Sequence, residues 1–160
     1  MKILFVYPNS EGYGRIPLGM SVLMSILIDD GHEIGLFDVS FIMQNNSLDQ
    51  EAREKFKIAS HTDTSYLYDY HSTDEIDELF RSKLKDFSPD LLAFSIVEDN
   101  YRYCHRLLEL TKSINESLVT IVGGSTPTIA ASTLIENPYI DYLRASPKTQ
   151  PTKNQYFLTK

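Results

Sequence analysis

Five short apolar runs, separated by segments of helical period, constrain this chain more than any other feature. The runs are Lys2 to Tyr7, Glu33 to Val39, Leu91 to Val97, Leu118 to Val122 and, more weakly, Ile140 to Leu143. The first shows no alternation of apolar and polar residues before it stops at Pro8. Such a run predicts a strand covered on both faces, at the centre of a parallel sheet. Between the first two runs, Leu18, Val22, Leu23, Ile26 and Leu27 recur at spacings of three and four and close at Asp29-Asp30-Gly31, which predicts a helix with one apolar stripe. A second helix is expected from Thr73 through Ile76, Leu79, Phe80, Leu84 and Phe87, ending at Ser88-Pro89. A third is expected over Tyr101 to Ile114, and a short fourth over Thr128 to Ile135.

Strands alternating with helices at this rhythm require right-handed βαβ crossovers. The economical solution is a three-layer, doubly wound α/β domain with a five-stranded parallel sheet in the flavodoxin-like (Rossmann-like) order 2-1-3-4-5. One domain over residues 1–146 suffices for a chain of 160 residues. Residues 147–160 lack apolar periodicity and are expected to be an extended tail or a severed linker. The polar stretch from Ser40 to Thr73, with Asn45-Asn46 and tyrosines at Tyr66, Tyr68 and Tyr70, is too long for an ordinary connection. It is expected to be a functional loop, a partly helical excursion or locally disordered.

Charge and cysteine content remove several classes. The net charge is −7 and the 15 basic residues are scattered, a field that repels a polyphosphate backbone. Nucleic acid is therefore not expected as a partner. Cys104 is the only cysteine, which rules out a disulfide, a CxxC redox pair or a cysteine-held iron–sulfur cluster within the chain, and it is expected to be a buried apolar filler. The N-terminal apolar run is too short for a signal peptide or a membrane span, so no membrane partner and a cytoplasmic location are expected.

Ligand chemistry concentrates where Val119 to Thr128, VTIVGGSTPT, passes from a β-branched run into two glycines and small hydroxyl residues. In open α/β sheets ligands bind beyond the carboxyl ends of the strands, at the point where strand order reverses. For the order 2-1-3-4-5 this lies between the first and third strands, so the loops after Tyr7, Val97 and Val122 should meet the ligand. Pro8 and Asn9, Glu98, and Gly123, Gly124, Ser125, Thr126 and Pro127 are the candidates that these loops supply. Two absent Cβ atoms at Gly123 and Gly124 would let a bulky flat or phosphorylated ligand approach bare backbone; a tight strand-to-helix turn alone accounts for the pair equally well.

The chain resembles the cobalamin-binding domain at the front of many B12-dependent radical S-adenosylmethionine enzymes. The resemblance rests on KILFVYP, on IPLGM opening the first helix, on DDGHEIGLFD, SPDLLAFSIV and VTIVGGSTPT, and on NPYIDYL, and it covers roughly residues 1 to 143. It implies a corrinoid cofactor. A corrinoid needs a platform for its ring, a slot for its nucleotide tail and few bulky groups between sheet and ligand. Pro17, Leu18 and Gly19 are candidates for the platform, Gly123 and Gly124 for the slot, and Ser95 with Thr126 for hydrogen bonds to the tail. Ordinary helix-start chemistry and a backbone-satisfied strand-end hydroxyl are the structural explanations for the same residues.

The chain departs from the resemblance in two ways. The DxHxxG motif, whose histidine ligates cobalt in methionine synthases and mutases, is missing: the corresponding loop reads NSEGYGRIPLG. His32, His61, His71 and His105 fall in turns, in the long loop or on a helix, so no catalytic residue and no metal ligand is assigned. The CxxxCxxC motif of the radical enzymes is also lacking, so an iron–sulfur cluster and S-adenosylmethionine would have to reside in a further domain, in cis or in trans. The expected function is a cobalamin-binding module without a complete active site of its own, with methyl transfer implied only by the resemblance. A flavodoxin-like electron carrier that binds flavin mononucleotide and a ligand-free interaction domain are the competing classes. A receiver domain fits poorly, because Glu11 is unpaired and no aspartate ends the third strand.

Overall fold

The computed structural model describes residues 1–9, 17–40, 42, 53–58, 60, 71–144 and 158–159. The loop after the first strand, the tyrosine cluster and residues 147–157 of the tail lie outside the described residues. The elements are β1 (Lys2–Tyr7), α1 (Leu18–Asp29), β2 (Glu33–Asp38), α2 (Thr73–Phe87), β3 (Leu91–Ser95), a 3-10 turn (Glu98–Asn100) and α3 (Tyr101–Ile114). They continue with β4 (Val119–Gly123), α4 (Ser125–Ile129), α5 (Ala131–Leu134), β5 (Tyr142–Leu143) and β6 (Leu158–Thr159). The first five strands are parallel and lie in the order 2-1-3-4-5 that the crossover argument requires. Near the end of the tail, β6 adds antiparallel to β5 and pairs Leu158 with Leu143.

Tertiary hydrogen bonds move several element ends from where the sequence placed them. β3 stops at Ser95 because Val97 N–H turns to the Asn100 side chain, while Ile96 N–H still reaches the Gly123 carbonyl at 2.8 Å. β5 shortens to two residues because the Asn137 carbonyl accepts the Ile140 N–H within the preceding turn. The expected fourth helix is two short ones, and the first begins at Ser125, immediately after Gly124. α2 is capped by Ser72 rather than Thr73. The Ser72 side chain accepts the Glu75 N–H and the Glu75 carboxylate accepts the Ser72 N–H, closing a capping box.

The two faces of the sheet are filled unequally. Leu4, Val6, Leu92, Phe94 and Val122 point to the face covered by α2 and α3, where Ile76, Phe80, Leu107 and Leu108 are fully buried. Cys104 is buried among them, an apolar filler as the sequence suggested. Close packing here is enforced at Gly35, where an added Cβ would meet Leu4 Cδ1 at 3.0 Å and the Phe87 ring at 3.1 Å. Opposite, Ile3, Phe5 and Tyr7 of β1 form a much smaller cluster with Met20 of α1, joined by half-buried Met24 and Leu27.

The stripe expected on α1 is corrected by this packing. Leu18, Val22, Leu23 and Ile26 are exposed, at 72%, 60%, 55% and 52%, and of the expected set only Leu27 packs inward. α1 is apolar nearly all round, so its period did not single out one face. Methionines, flexible enough to fill the gap over β1, take the inward positions. Away from the carboxyl ends of the strands, Lys112 is held by the Glu116 and Leu118 carbonyls and by Asp141 at 2.6 Å. Thr120 also donates to Asp141, from both its N–H and its hydroxyl, which ties α3 and β4 to the entry of β5.

Candidate functional site

The two glycines at the end of β4 do different work. Gly124 has φ +116°, and a Cβ there would lie 2.3 Å from the Ile96 carbonyl oxygen, so only glycine fits this turn. Gly123 is otherwise. The only atom near an added Cβ would be Arg144 Cβ at 3.9 Å, and the position faces open space. The turn explanation thus holds for Gly124, and the space-making one for Gly123.

That space is an apolar crevice of about 320 Å³ between α1 and the sheet. Phe5, Ala93 and Ile121 form its strand side, Gly19, Met20 and Leu23 its helix side, and Ser95, Gly123, Gly124 and Arg144 its end at the strand termini. Of the expected site residues, Gly19, Ser95, Gly123 and Gly124 are brought together here. Pro17 and Leu18 precede the crevice on α1, with Leu18 exposed, and Ser125, Thr126 and Pro127 follow it on α4. Thr126 Oγ1 is buried with no hydrogen-bond partner, a polar atom placed one turn from the glycines. Glu98 is exposed on the 3-10 turn and does not line the crevice.

Pro8 and Asn9 are buried rather than offered to a ligand. The Asn9 amide donates to Ser40 Oγ at 3.0 Å, and the Ser40 hydroxyl donates to Asp38 Oδ1 at 2.6 Å. The Ser40 N–H donates to the same carboxylate oxygen at 2.8 Å. This chain of bonds pins the carboxyl ends of β1 and β2 together at the margin of the site. Sequence reasoning missed Asp38, Ser40 and Arg144. It also missed Phe5, Ala93 and Ile121, which read as ordinary strand core.

Among the described residues no three His, Cys, Asp or Glu side chains converge to hold a metal ion. His105 sits edge-on between the Tyr101 and Tyr139 rings, and His71 lies 3.9 Å from the Glu75 carboxylate. No helix of the described residues is long and apolar enough to cross a membrane. The arrangement suits a largely apolar group, with Ser95 and Arg144 at the strand-terminus end to meet its polar atoms.

Strand order and direction define a doubly wound parallel α/β domain, with an apolar crevice that opens between α1 and the ends of β3 and β4. The family model for the B12 binding domain matches residues 11–151, and the chain belongs to that family. Two solved structures share the fold, both of the radical S-adenosylmethionine methyltransferase TsrM from Kitasatospora setae. One holds tryptophan substrate and a SAM analog, aza-SAM; the other holds cobalamin and a [4Fe-4S] cluster. Each superposes with a TM-score of 0.63 at 16% identity over 91% of this chain. The chain spans about a quarter of their length, 23% and 24% respectively. Among curated protein sequences, none matches this chain.

Proposed function

We propose that this chain is a cytoplasmic cobalamin-holding module that works with a radical S-adenosylmethionine domain, in cis or in trans. The observation that carries the reading is the crevice opened by Gly123, which joins the carboxyl ends of β3 and β4 to the apolar face under α1. It meets the needs of a corrinoid nucleotide tail: an apolar slot with bare backbone at its mouth, and the partnerless Thr126 hydroxyl follows on α4. Gly19, Ser95, Gly123 and Gly124 would line the tail, and Thr126 would donate to it or accept from it. Pro17 and Leu18 would meet the ring.

When bound, cobalamin supplies a cobalt atom able to carry an organic group, a methyl group in many of the enzymes this chain resembles. The protein's part is to bind the tail, orient the ring and keep water from the apolar slot. Cys104, the sole cysteine, is buried in the core, so cluster ligands come from another domain. In support of cobalamin, the crevice is lined chiefly by apolar side chains, which suit the planar base at the end of the nucleotide tail.

A visible-absorption titration with hydroxocobalamin, followed by gel filtration, tests this reading. Retention of one corrinoid per chain is the expected result. No retained corrinoid, with flavin mononucleotide retained in its place, would refute it in favour of an electron carrier; a colourless protein after both incubations would point to an interaction domain.

A further inference from the structure

The strand register gives the crevice under α1 a stepped floor. Ala93 of β3 lies opposite Phe5 of β1 on one side and Ile121 of β4 on the other, and two residues further along the same face Ser95 lies opposite Gly123. With strands about 4.8 Å apart, Phe5 and Ile121 stand roughly 10 Å from each other across Ala93. The single methyl group of Ala93 is therefore the low point between two large apolar neighbours, and Met20 and Leu23 of α1 face it from the other side of the space. An engineered apolar cavity of about 150 Å³ takes up benzene, so a crevice of about 320 Å³ has room for a fused two-ring base entering edge first.

Hydrogen-bonding capacity is spread unevenly along this space. The backbone of β3 is paired on both sides, to β1 and to β4, and its groups are taken up in those ladders. Among the described residues that line the crevice, Ser95 and Arg144 alone have polar side chains, and both stand at the strand-terminus end. On the helix side Gly19 and Met20 belong to the first turn of α1, whose free backbone groups are N–H donors and cannot accept from an amine. Around Ala93 the described lining thus offers a buried N–H no acceptor stronger than the Met20 thioether.

We propose that the crevice selects the base of the corrinoid's nucleotide tail by polarity, and that Ala93 sets the choice: a benzimidazole enters, and a purine with an exocyclic amine is disfavoured. The inference rests on the cobalamin reading and names the class of tail that the site takes. A benzimidazole leads with an all-carbon ring, and both its nitrogens lie on the ring that carries the ribose, toward Ser95. Adenine brings ring nitrogens and an amine to the leading edge, where water is lost and nothing in the lining replaces it. A buried donor left without a partner weakens the complex, whereas an apolar edge in the same place loses nothing.

Equilibrium dialysis of the full chain, read by corrinoid absorbance, compares three probes: hydroxocobalamin, the hydroxo-corrinoid whose tail base is adenine, and hydroxocobinamide, which lacks the nucleotide. Hydroxocobalamin should bind about 10- to 100-fold more tightly than the adenine form. Ala93→Ser places a hydroxyl, both donor and acceptor, at the low point and should reduce that ratio by about tenfold. Ala93→Val, which adds bulk without polarity, should weaken both forms together. Any difference in how firmly the two bases hold the corrinoid's own cobalt is common to wild type and variants and cancels in this comparison. Circular dichroism of the variants separates altered selectivity from lost fold. A ratio at or below one in the wild type, or one that Ala93→Ser leaves unchanged in a folded protein, would overturn the proposal while corrinoid binding itself stands. Hydroxocobinamide bound as tightly as hydroxocobalamin would overturn it as well, because the tail would then lie outside the crevice. Binding of none of the three would refute the cobalamin reading and the selectivity with it.

Discussion

Gly123 and Gly124 are neighbours of identical chemistry for which the structure predicts opposite outcomes. At Gly124, φ +116° and ψ −165° lie in a region that costs a residue with a Cβ about 1–3 kcal/mol. The added Cβ would also approach the Ile96 oxygen to 2.3 Å and the Ile96 nitrogen to 2.9 Å. The first contact is about 1 Å inside even a close C–H···O approach, so the backbone of Ile96 must move. Moving it strains the 2.8 Å bond from Ile96 N–H to the Gly123 carbonyl, worth about 1 kcal/mol. Gly124→Ala should therefore cost about 2–4 kcal/mol. At roughly 2–4 °C per kcal/mol for a domain of this size, Tm should fall by about 5–15 °C. At Gly123 an added Cβ meets nothing nearer than Arg144 Cβ at 3.9 Å, and Gly123→Val removes a glycine from a strand end, which favours folding by about 0.5–1 kcal/mol. Its Tm should hold or rise slightly, while its isopropyl group projects into the 320 Å³ crevice.

The assay is a thermal melt paired with a hydroxocobalamin titration for each variant. Gly123→Val should lose at least about tenfold in corrinoid affinity, the scale of a well-placed steric block in a binding pocket, while keeping its stability. Wild-type affinity in that variant would refute the assignment of the crevice to the corrinoid tail. An unchanged Tm for Gly124→Ala would refute the steric argument at the turn. Gly124→Val, the more obvious substitution, is uninformative for binding because it fails first by misfolding.

Three further outcomes follow from the geometry. Ser72→Ala should open the capping box of α2 and lower stability by about 1 kcal/mol, seen as a Tm loss that Thr73→Ala does not reproduce; equal losses would refute the cap assignment. Burial pushes the Cys104 thiol well above its ordinary range, so a disulfide reagent should label native protein only at the rate of unfolding, and complete labelling within minutes under native conditions would contradict the burial. At Asp141, burial raises the carboxyl, but bonds from Lys112 and Thr120 outweigh it and hold the group below its ordinary 3.8. A carboxyl depressed in the folded state stabilises fully above the unfolded value, and the contribution disappears as the pH falls through the folded one. Asp141→Asn should thus lower the urea midpoint at pH 7 and shrink the further drop on going below about pH 4; an acid dependence identical to wild type would count against the ion pair.

The strand order was legible because Lys2 to Tyr7 carries no polar face and because strand and helix periods alternate, two signals that long-range contacts rarely override. The position of the crevice was legible for the same reason: Gly123, Gly124 and Ser95 stand at strand ends, and topology fixes where strand ends go. The orientation of α1 was not. Eight of its twelve residues are aliphatic or methionine, so its period points nowhere, and which side faces inward depends on what the sheet presents beneath it. Asp38 and Ser40 escaped notice because an aspartate and a serine beside a turn are common. The bond from Asn9 to Ser40, and through it the link to Asp38, exists only once β1 and β2 are paired. Phe5, Ala93 and Ile121 looked like core because strands of a parallel sheet are usually covered twice, and here one cover is partial.

That partial cover is the origin of the crevice. A second long helix beside α1 would bury Ile121, Tyr142 and Leu23, and would close the crevice from outside. Without it, Ala93 and Ile121 floor the space assigned to the corrinoid tail.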